Sequence, residues 1–145
     1  MNIEIINKIL ELEVYGFSSI AINKDYVGTA FQLMDKMWKT VKSNHLEHQG
    51  HNIWIYEDNE KVFAGVQLTN IPKSDIDLQQ KKVTLTKYAY YKHIGPYNII
   101  KPFGQAMIAK IKNKGFEVTN PYIEIYGHMT MDETKLETEL FMSLK

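Results

Sequence analysis

The sequence contains no cysteine, so disulfide bonds and thiolate chemistry are excluded. Its 17 basic and 17 acidic side chains cancel to a formal net charge of zero, whereas direct nucleic-acid binding usually needs a basic patch. No apolar run is long enough to span a bilayer. The segment from Met1 to Leu12 also lacks the basic head, apolar run and cleavage site of a signal peptide. We therefore expect a cytoplasmic protein that contacts neither a membrane nor, directly, nucleic acid.

Hydrophobic periodicity predicts an α+β chain. Apolar residues alternate in some segments, as in strands, and recur every three or four positions in others, as in amphipathic helices. The 145 residues suit a single domain, 1–145. Helices are predicted at residues 26–44 and 99–111. Strands are predicted at residues 9–22, 52–56, 62–68, 83–94, 121–126 and 136–144, and a polar linker at residues 70–80.

Two predicted strands, 70 positions apart, are nearly alike. Asn52–Tyr56 reads Asn-Ile-Trp-Ile-Tyr, and Tyr122–Tyr126 reads Tyr-Ile-Glu-Ile-Tyr. The predicted order strand, helix, strand, strand also occurs twice. We interpret the chain as a pseudo-twofold duplication, with repeat units at about residues 1–70 and 80–145. Such units would form antiparallel sheets with both helices on one side. A ligand cleft is expected at their junction, on the sheet faces opposite the helices.

Alternation along these strands predicts a ligand-binding surface. Successive side chains of a strand face opposite ways, so the isoleucines share one face and the aromatic residues the other. A mostly aromatic surface with one carboxylate suits a flat, cationic organic molecule. The predicted surface consists of Trp54, Tyr56, Phe63, Tyr122, Glu124 and Tyr126. Two plainer interpretations remain open: the rings could be ordinary core, and Glu124 could lie on a solvated face, hydrogen-bonded to a tyrosine.

His93 and Tyr97 flank the dipeptide Gly95-Pro96 and complete the set of candidate ligand-binding residues. With Glu124 they could act as base, acid and electrostatic partner. We favour the alternative, a turn that caps the second helix, with His93 packed or hydrogen-bonded. Without cysteine or a Gly-x-Ser-x-Gly motif, a hydrolase would have to use Glu124 and a tyrosine, Tyr126, with water. An enzyme is therefore the less favoured interpretation.

A histidine-rich segment follows the first predicted helix. His45, His48 and His51, with Glu47, have spacings that metal ligands can have. Histidines also suit the C-terminal end of a helix, where its dipole favours positive charge. We favour this second explanation and expect no metal and no cofactor.

Glu139 is a second candidate for the pocket acid, although a surface position is the simpler expectation.

Four segments match, in the same order, the motifs of one family. They are residues 62–68 (aromatic-x-G-V-x-aliphatic), 93–97 (H-x-G-P-Y), 121–126 (P-x-x-E-x-Y) and 136–144 (T-E-x-x-x-P-L, with Ser143 where proline is common). From about residue 9 to residue 144, the chain resembles the GyrI-like effector-binding domains. These domains occur in multidrug-responsive transcription regulators of the AraC and MerR types.

The resemblance implies a pseudo-twofold α+β fold that binds amphipathic, aromatic or cationic organic compounds, with Glu124 as the pocket glutamate. It also implies a role in transcriptional regulation or in the response to drugs and toxins. The regulators carry a DNA-binding helix-turn-helix that has no counterpart here, so we expect a stand-alone member. Other branches of the family provide two alternatives. One is a hydrolase of reactive electrophilic toxins, and the other is a protein-interaction module with a regulator or gyrase as partner.

Overall fold

The computed structural model describes residues 1–127 and 132–145. Within them, eight strands form one antiparallel sheet, accompanied by two α-helices. Short 3-10 turns lie at Ile22–Lys24, Tyr97–Ile99 and Glu133–Lys135. The helices are α1, Tyr26–Ser43, and α2, Ile100–Asn113. The strands are β1, Glu4–Ile6; β2, Leu10–Ile20; β3, Asn52–Tyr56; β4, Lys61–Val66; β5, Gln79–Leu85; β6, Tyr88–Ile94; β7, Val118–Tyr126; and β8, Glu137–Leu144.

The strand order shows the duplication directly. The strands lie in the order β1-β6-β8-β7-β3-β4-β2-β5. Counted outward from the central pair, β7, β8, β6 and β1 correspond to β3, β4, β2 and β5. Each half contains one strand-helix-strand-strand unit, β2-α1-β3-β4 or β6-α2-β7-β8. The α+β class and the pseudo-twofold arrangement are thereby confirmed, although the halves share one sheet instead of forming separate sheets. The division at about residues 1–70 and 80–145 stays a prediction.

Two strands differ from the sequence-based prediction. Strand β1 was not expected, and β5 begins at Gln79, inside the expected linker. A bend at Thr86 and Lys87 divides the expected strand 83–94 into β5 and β6. Both β1 and β5 lie at sheet edges. Polar and charged residues are common on edge strands, where they oppose pairing with other chains, so the hydrophobic alternation there is weak.

The two helices begin and pack as their sequences predict. Asp25 is the N-cap of α1, and its Oδ1 accepts a hydrogen bond from the Gly28 amide at 3.0 Å. The apolar side of α1 packs against β2 and β4, and that of α2 packs against residues of β6 and β8. Met37 of α1 and Met107 of α2, 70 residues apart, are both fully buried. Neither of these described helices is long and apolar enough to cross a membrane.

A third apolar core, beside those under α1 and α2, lies on the sheet face that carries no described helix. All eight strands contribute to it, and neither α1 nor α2 does. Ile53, Ile55 and Ile123 belong to this core and are fully buried. Because strands alone bury them, the sheet must curl around this face. The expectation that the isoleucines face the helices is therefore wrong. Alternation separates two faces of a strand but does not reveal which face a helix covers.

A close approach between strands accompanies this curvature. Gly16 of β2 lies opposite Gly65 of β4. A Cβ atom at Gly16 would collide with the backbone of Ala64 and Gly65, and one at Gly65 would collide with the Tyr15 carbonyl. Only glycine fits where two backbones come this close.

Candidate functional site

The two central strands bring most of the candidate residues together. In the pairing of β3 with β7, Trp54 lies directly opposite Glu124. These two positions are 70 residues apart and equivalent in the two repeats, so the pseudo-twofold axis passes between them. Residues two positions away on either strand project from the same face. The site is thus built from three cross-strand pairs, Asn52–Tyr126, Trp54–Glu124 and Tyr56–Tyr122.

Three tyrosine hydroxyls converge on the Glu124 carboxylate. The hydroxyls of Tyr56 and Tyr126 donate to Oε1 at 3.0 and 2.9 Å, and that of Tyr122 donates to Oε2 at 2.8 Å. Glu124 is only 7% exposed. We call these four residues the tyrosine cage. Sequence reasoning considered a single tyrosine hydrogen bond on a solvated face; the structure has three, and the acid is buried.

Burial dominates the electrostatics of the tyrosine cage. It raises the pKa of the Glu124 carboxyl above the ordinary 4.5, although the hydrogen bonds from the three tyrosines oppose the shift. The pKa values of the three tyrosines are raised as well, first by burial and then by the nearby Glu124 charge. Their hydroxyls therefore stay protonated and act as donors. Among the described residues, no lysine or histidine forms an ion pair with Glu124.

Aromatic rings surround the acid. Tyr56 and Tyr122 stack with centroids 5.6 Å apart and an interplanar angle of 19°. Tyr126 meets Trp54 and Tyr97 edge to face, at 4.8 and 5.3 Å. Offset and edge-to-face contacts of this kind stabilise aromatic clusters. The π faces and the carboxylate together provide the negative potential that attracts an organic cation.

The tyrosine cage lies on the helix-bearing face, at the seam between the two helix cores. On one side Glu124 pairs with Trp54, which packs in the α1 core, and on the other with Leu140, which packs in the α2 core. Tyr126 contacts both cores. The tyrosine cage therefore lies at the junction of the repeats, on the sheet face opposite to the one on which the cleft was predicted.

Two candidate residues lie on the other face. Phe63 pairs with Ile55 and belongs to the helix-free core, so its inclusion in the aromatic surface is corrected. Residue type alone does not show which face Phe63 projects from, because its facing is set by the register of β4 on β3. Glu139 pairs with Ile125 and accepts a hydrogen bond from Tyr90 at 2.6 Å. Glu139 is thus separated from Glu124 by the sheet.

His93 and Tyr97 lie near the site in different ways. His93 is buried, with its Nε2 atom 3.1 Å from the Pro96 carbonyl oxygen and its ring against Phe103. These contacts agree with the favoured interpretation of a structural histidine in the turn before α2. Tyr97 lies beside Tyr126 and extends the aromatic surface.

Sequence reasoning missed the residues that α1 contributes. Phe31 packs edge to face on Trp54 at 5.1 Å and is 49% exposed, and Tyr26 meets Tyr56 at 6.2 Å. Val27, one helical turn before Phe31, is also exposed. The sequence signal for these residues is an apolar arc on α1 that is wider than packing against the sheet requires.

The histidine-rich segment forms no ligand cluster. Among the described residues, no three histidine or acidic side chains converge as metal ligands. The ring of His48 packs on Trp38 at 4.7 Å. A separate polar groove of about 630 Å³ lies at the outer flank of the first repeat, where Glu13 and Tyr15 face residues 67–71. It includes no residue of the tyrosine cage.

No family model matches the chain, and no curated protein matches it in sequence. The similarities are to solved structures. The EcmrR C-terminal domain superposes with a TM-score of 0.77 at 16% identity, covering 100% of this chain and 99% of that one. In the EcmrR–DNA complex the TM-score is 0.74 at 16% identity, covering 99% of this chain. This chain spans 57% of the EcmrR chain in that complex.

Two further structures show how varied the proteins with this fold are. SAV2435 bound to tetraphenylphosphonium has a TM-score of 0.58 at 18% identity, with coverage of 100% of this chain and 94% of that one. A hydrolase from Listeria innocua has a TM-score of 0.60 at 12% identity, with coverage of 99% and 91%. At identities this low, the superpositions establish the shared fold and nothing about the chemistry of this chain.

Proposed function

We propose that the protein binds amphipathic organic cations with aromatic surfaces, with Glu124 of the tyrosine cage as the countercharge. The observation that carries the proposal is a buried carboxylate without a cationic partner among the described residues. Burying an unpaired charge is costly, and a bound cation would relieve that cost. A desolvated cation over an aromatic face gains about 2 kcal/mol more.

The geometry also indicates how a ligand would enter. Side chains cover Glu124 almost completely, so a bulky cation must displace at least one tyrosine ring. The half-exposed Phe31 ring and Tyr97 lie at the borders of the aromatic cluster. They offer apolar contact to the parts of a ligand that extend beyond the charge. Recognition by rings and one acid tolerates varied ligand shapes, which suits a sensor of several compounds.

We further propose that the chain is a GyrI-like effector-binding domain that acts in transcriptional regulation or in the response to drugs. Its four motifs and the fold it shares with the EcmrR C-terminal domain support this assignment. The tetraphenylphosphonium bound to SAV2435 is an aromatic cation of the proposed class. Nothing in these neighbours supports gyrase as a partner.

Isothermal titration calorimetry with tetraphenylphosphonium as the ligand tests the proposal. Wild-type protein should bind, and Glu124→Gln should weaken binding at least tenfold. The basis is that a desolvated charge pair contributes more than about 1.4 kcal/mol. Glu139→Gln is the matched control, because Glu139 also accepts a tyrosine hydrogen bond but lies on the other face. Equal affinity in wild type and Glu124→Gln would refute the assignment.

A hydrolase is the second candidate. Tyr126 donates a 2.9 Å hydrogen bond to Glu124, a pair that could activate water and protonate a leaving group, and a neighbour with this fold is named a hydrolase. Turnover of an epoxide probe beyond one equivalent, lost in Glu124→Gln, would favour this candidate. Saturable binding without product would favour the binding function.

A further inference from the structure

Four positions flank the Trp54–Glu124 pair, and one of them is not a tyrosine. Asn52 stands where the second repeat has Tyr122. It lies opposite Tyr126 on the same face as the tyrosine cage and is partly buried. The duplication therefore leaves one corner of the site with an amide in place of a ring.

The orientation of this amide is set by a neighbour. The Trp38 indole Nε1 donates to Asn52 Oδ1 at 2.7 Å. An indole N–H is only a donor, so this contact identifies the oxygen end of the amide. Trp38 belongs to α1, which packs over β2 and β4. The Nδ2 end is therefore the end of the amide that Trp38 does not engage, at a position that lies opposite Tyr126 of β7.

The Nδ2 group is a donor without an assigned acceptor. Among the described residues, none accepts a hydrogen bond from it, and it is not among the fully buried unpaired atoms. Trp54 Nε1 also lacks an acceptor, but it is buried beside the rings of Phe31 and Tyr126. Of these two donors, the Asn52 amide is the one that is not fully buried.

We infer that Asn52 is a specificity-determining residue whose amide donates a hydrogen bond to an oxygen atom carried by the bound cation. The site then selects organic cations that bear an ether or carbonyl oxygen over cations that are purely hydrocarbon. This inference rests on the proposed function. Diagonal positions on paired strands, such as Asn52 and Glu124, lie roughly 7–8 Å apart, so a short chain must separate the oxygen from the charge.

A matched pair of cations tests this selection. Pentyltriphenylphosphonium and (3-methoxypropyl)triphenylphosphonium differ by replacement of one methylene with an ether oxygen. Calorimetric titration of the full chain should show the ether bound about threefold to tenfold more tightly, the effect of one neutral hydrogen bond. Asn52→Ala should abolish or reverse this preference, which is measured as the ratio of the two affinities in the same variant.

Asn52→Asp is the second variant and guards against loss of folding. It keeps an acceptor for Trp38 but replaces the free donor with an acceptor, so it should bind both cations without favouring the ether. Equal wild-type affinity for the two cations, or a preference that survives in both variants, would overturn the inference and leave the proposed function intact. Failure of both cations to bind would overturn both.

Discussion

The buried acid should make the folded state less stable as pH rises. In the unfolded chain Glu124 titrates near its ordinary pKa of 4.5, whereas burial raises its pKa in the folded state. Below both values the carboxyl is protonated in both states. Between them the folded state holds a proton that the unfolded state has lost, so the free energy of unfolding decreases with increasing pH. Above the folded-state pKa the full loss is present.

The slope of the free energy of unfolding against pH follows from the one proton that the folded state holds and the unfolded state has lost. The free energy of unfolding should decrease by up to about 1.4 kcal/mol per pH unit inside this window. Glu124→Gln cannot ionise but retains a side chain of similar size, so it serves as the reference. The stability of the variant minus that of the wild type should increase with pH from about 4.5 upward and then level off.

Urea denaturation of both proteins at half-unit pH steps measures this difference. Intrinsic fluorescence provides the signal, because Trp54 is buried beside Tyr126. Taking the difference cancels the titration of all other groups that behave alike in the two proteins. A difference independent of pH would refute the reasoning. A wild type that gains stability relative to the variant as pH rises would show that the three tyrosine hydrogen bonds outweigh burial.

Two further predictions follow from the same structure. Under the proposed function a permanent cation needs ionised Glu124, so the affinity for tetraphenylphosphonium should rise with pH through the raised pKa of Glu124 and then stay constant. Binding below that pKa should release protons, which calorimetry in buffers of different ionisation enthalpy measures, and an affinity independent of pH would contradict the prediction. Gly16→Ala should lower the free energy of unfolding by about 1–3 kcal/mol in urea, because a Cβ there meets the β4 backbone. The control Gly104→Ala, which meets nothing within 4 Å in α2, should instead stabilise the protein by about 0.5–1 kcal/mol.

The sequence predicted the content of the site better than its location. The 70-residue offset predicted correctly that Trp54 and Glu124 are equivalent, and alternation predicted correctly which β3 and β7 residues share a face. Neither pattern reveals which face a helix covers, because two-residue periodicity is the same on both. Phe63 was misplaced for a related reason: its facing depends on how β4 is aligned with β3, and the β4 sequence alone does not contain that register.

The duplication explains why the site must be asymmetric. At a pseudo-twofold axis, an unaltered repeat would place identical residues opposite each other. Two glutamates paired there would repel, and two tryptophans would provide no countercharge. Trp54 opposite Glu124 avoids both outcomes, since one repeat supplies the charge and the other a ring. The three tyrosines direct their hydroxyls to the one acid, so under the proposed function the cationic part of a ligand would be drawn to the side of the axis on which β7 lies.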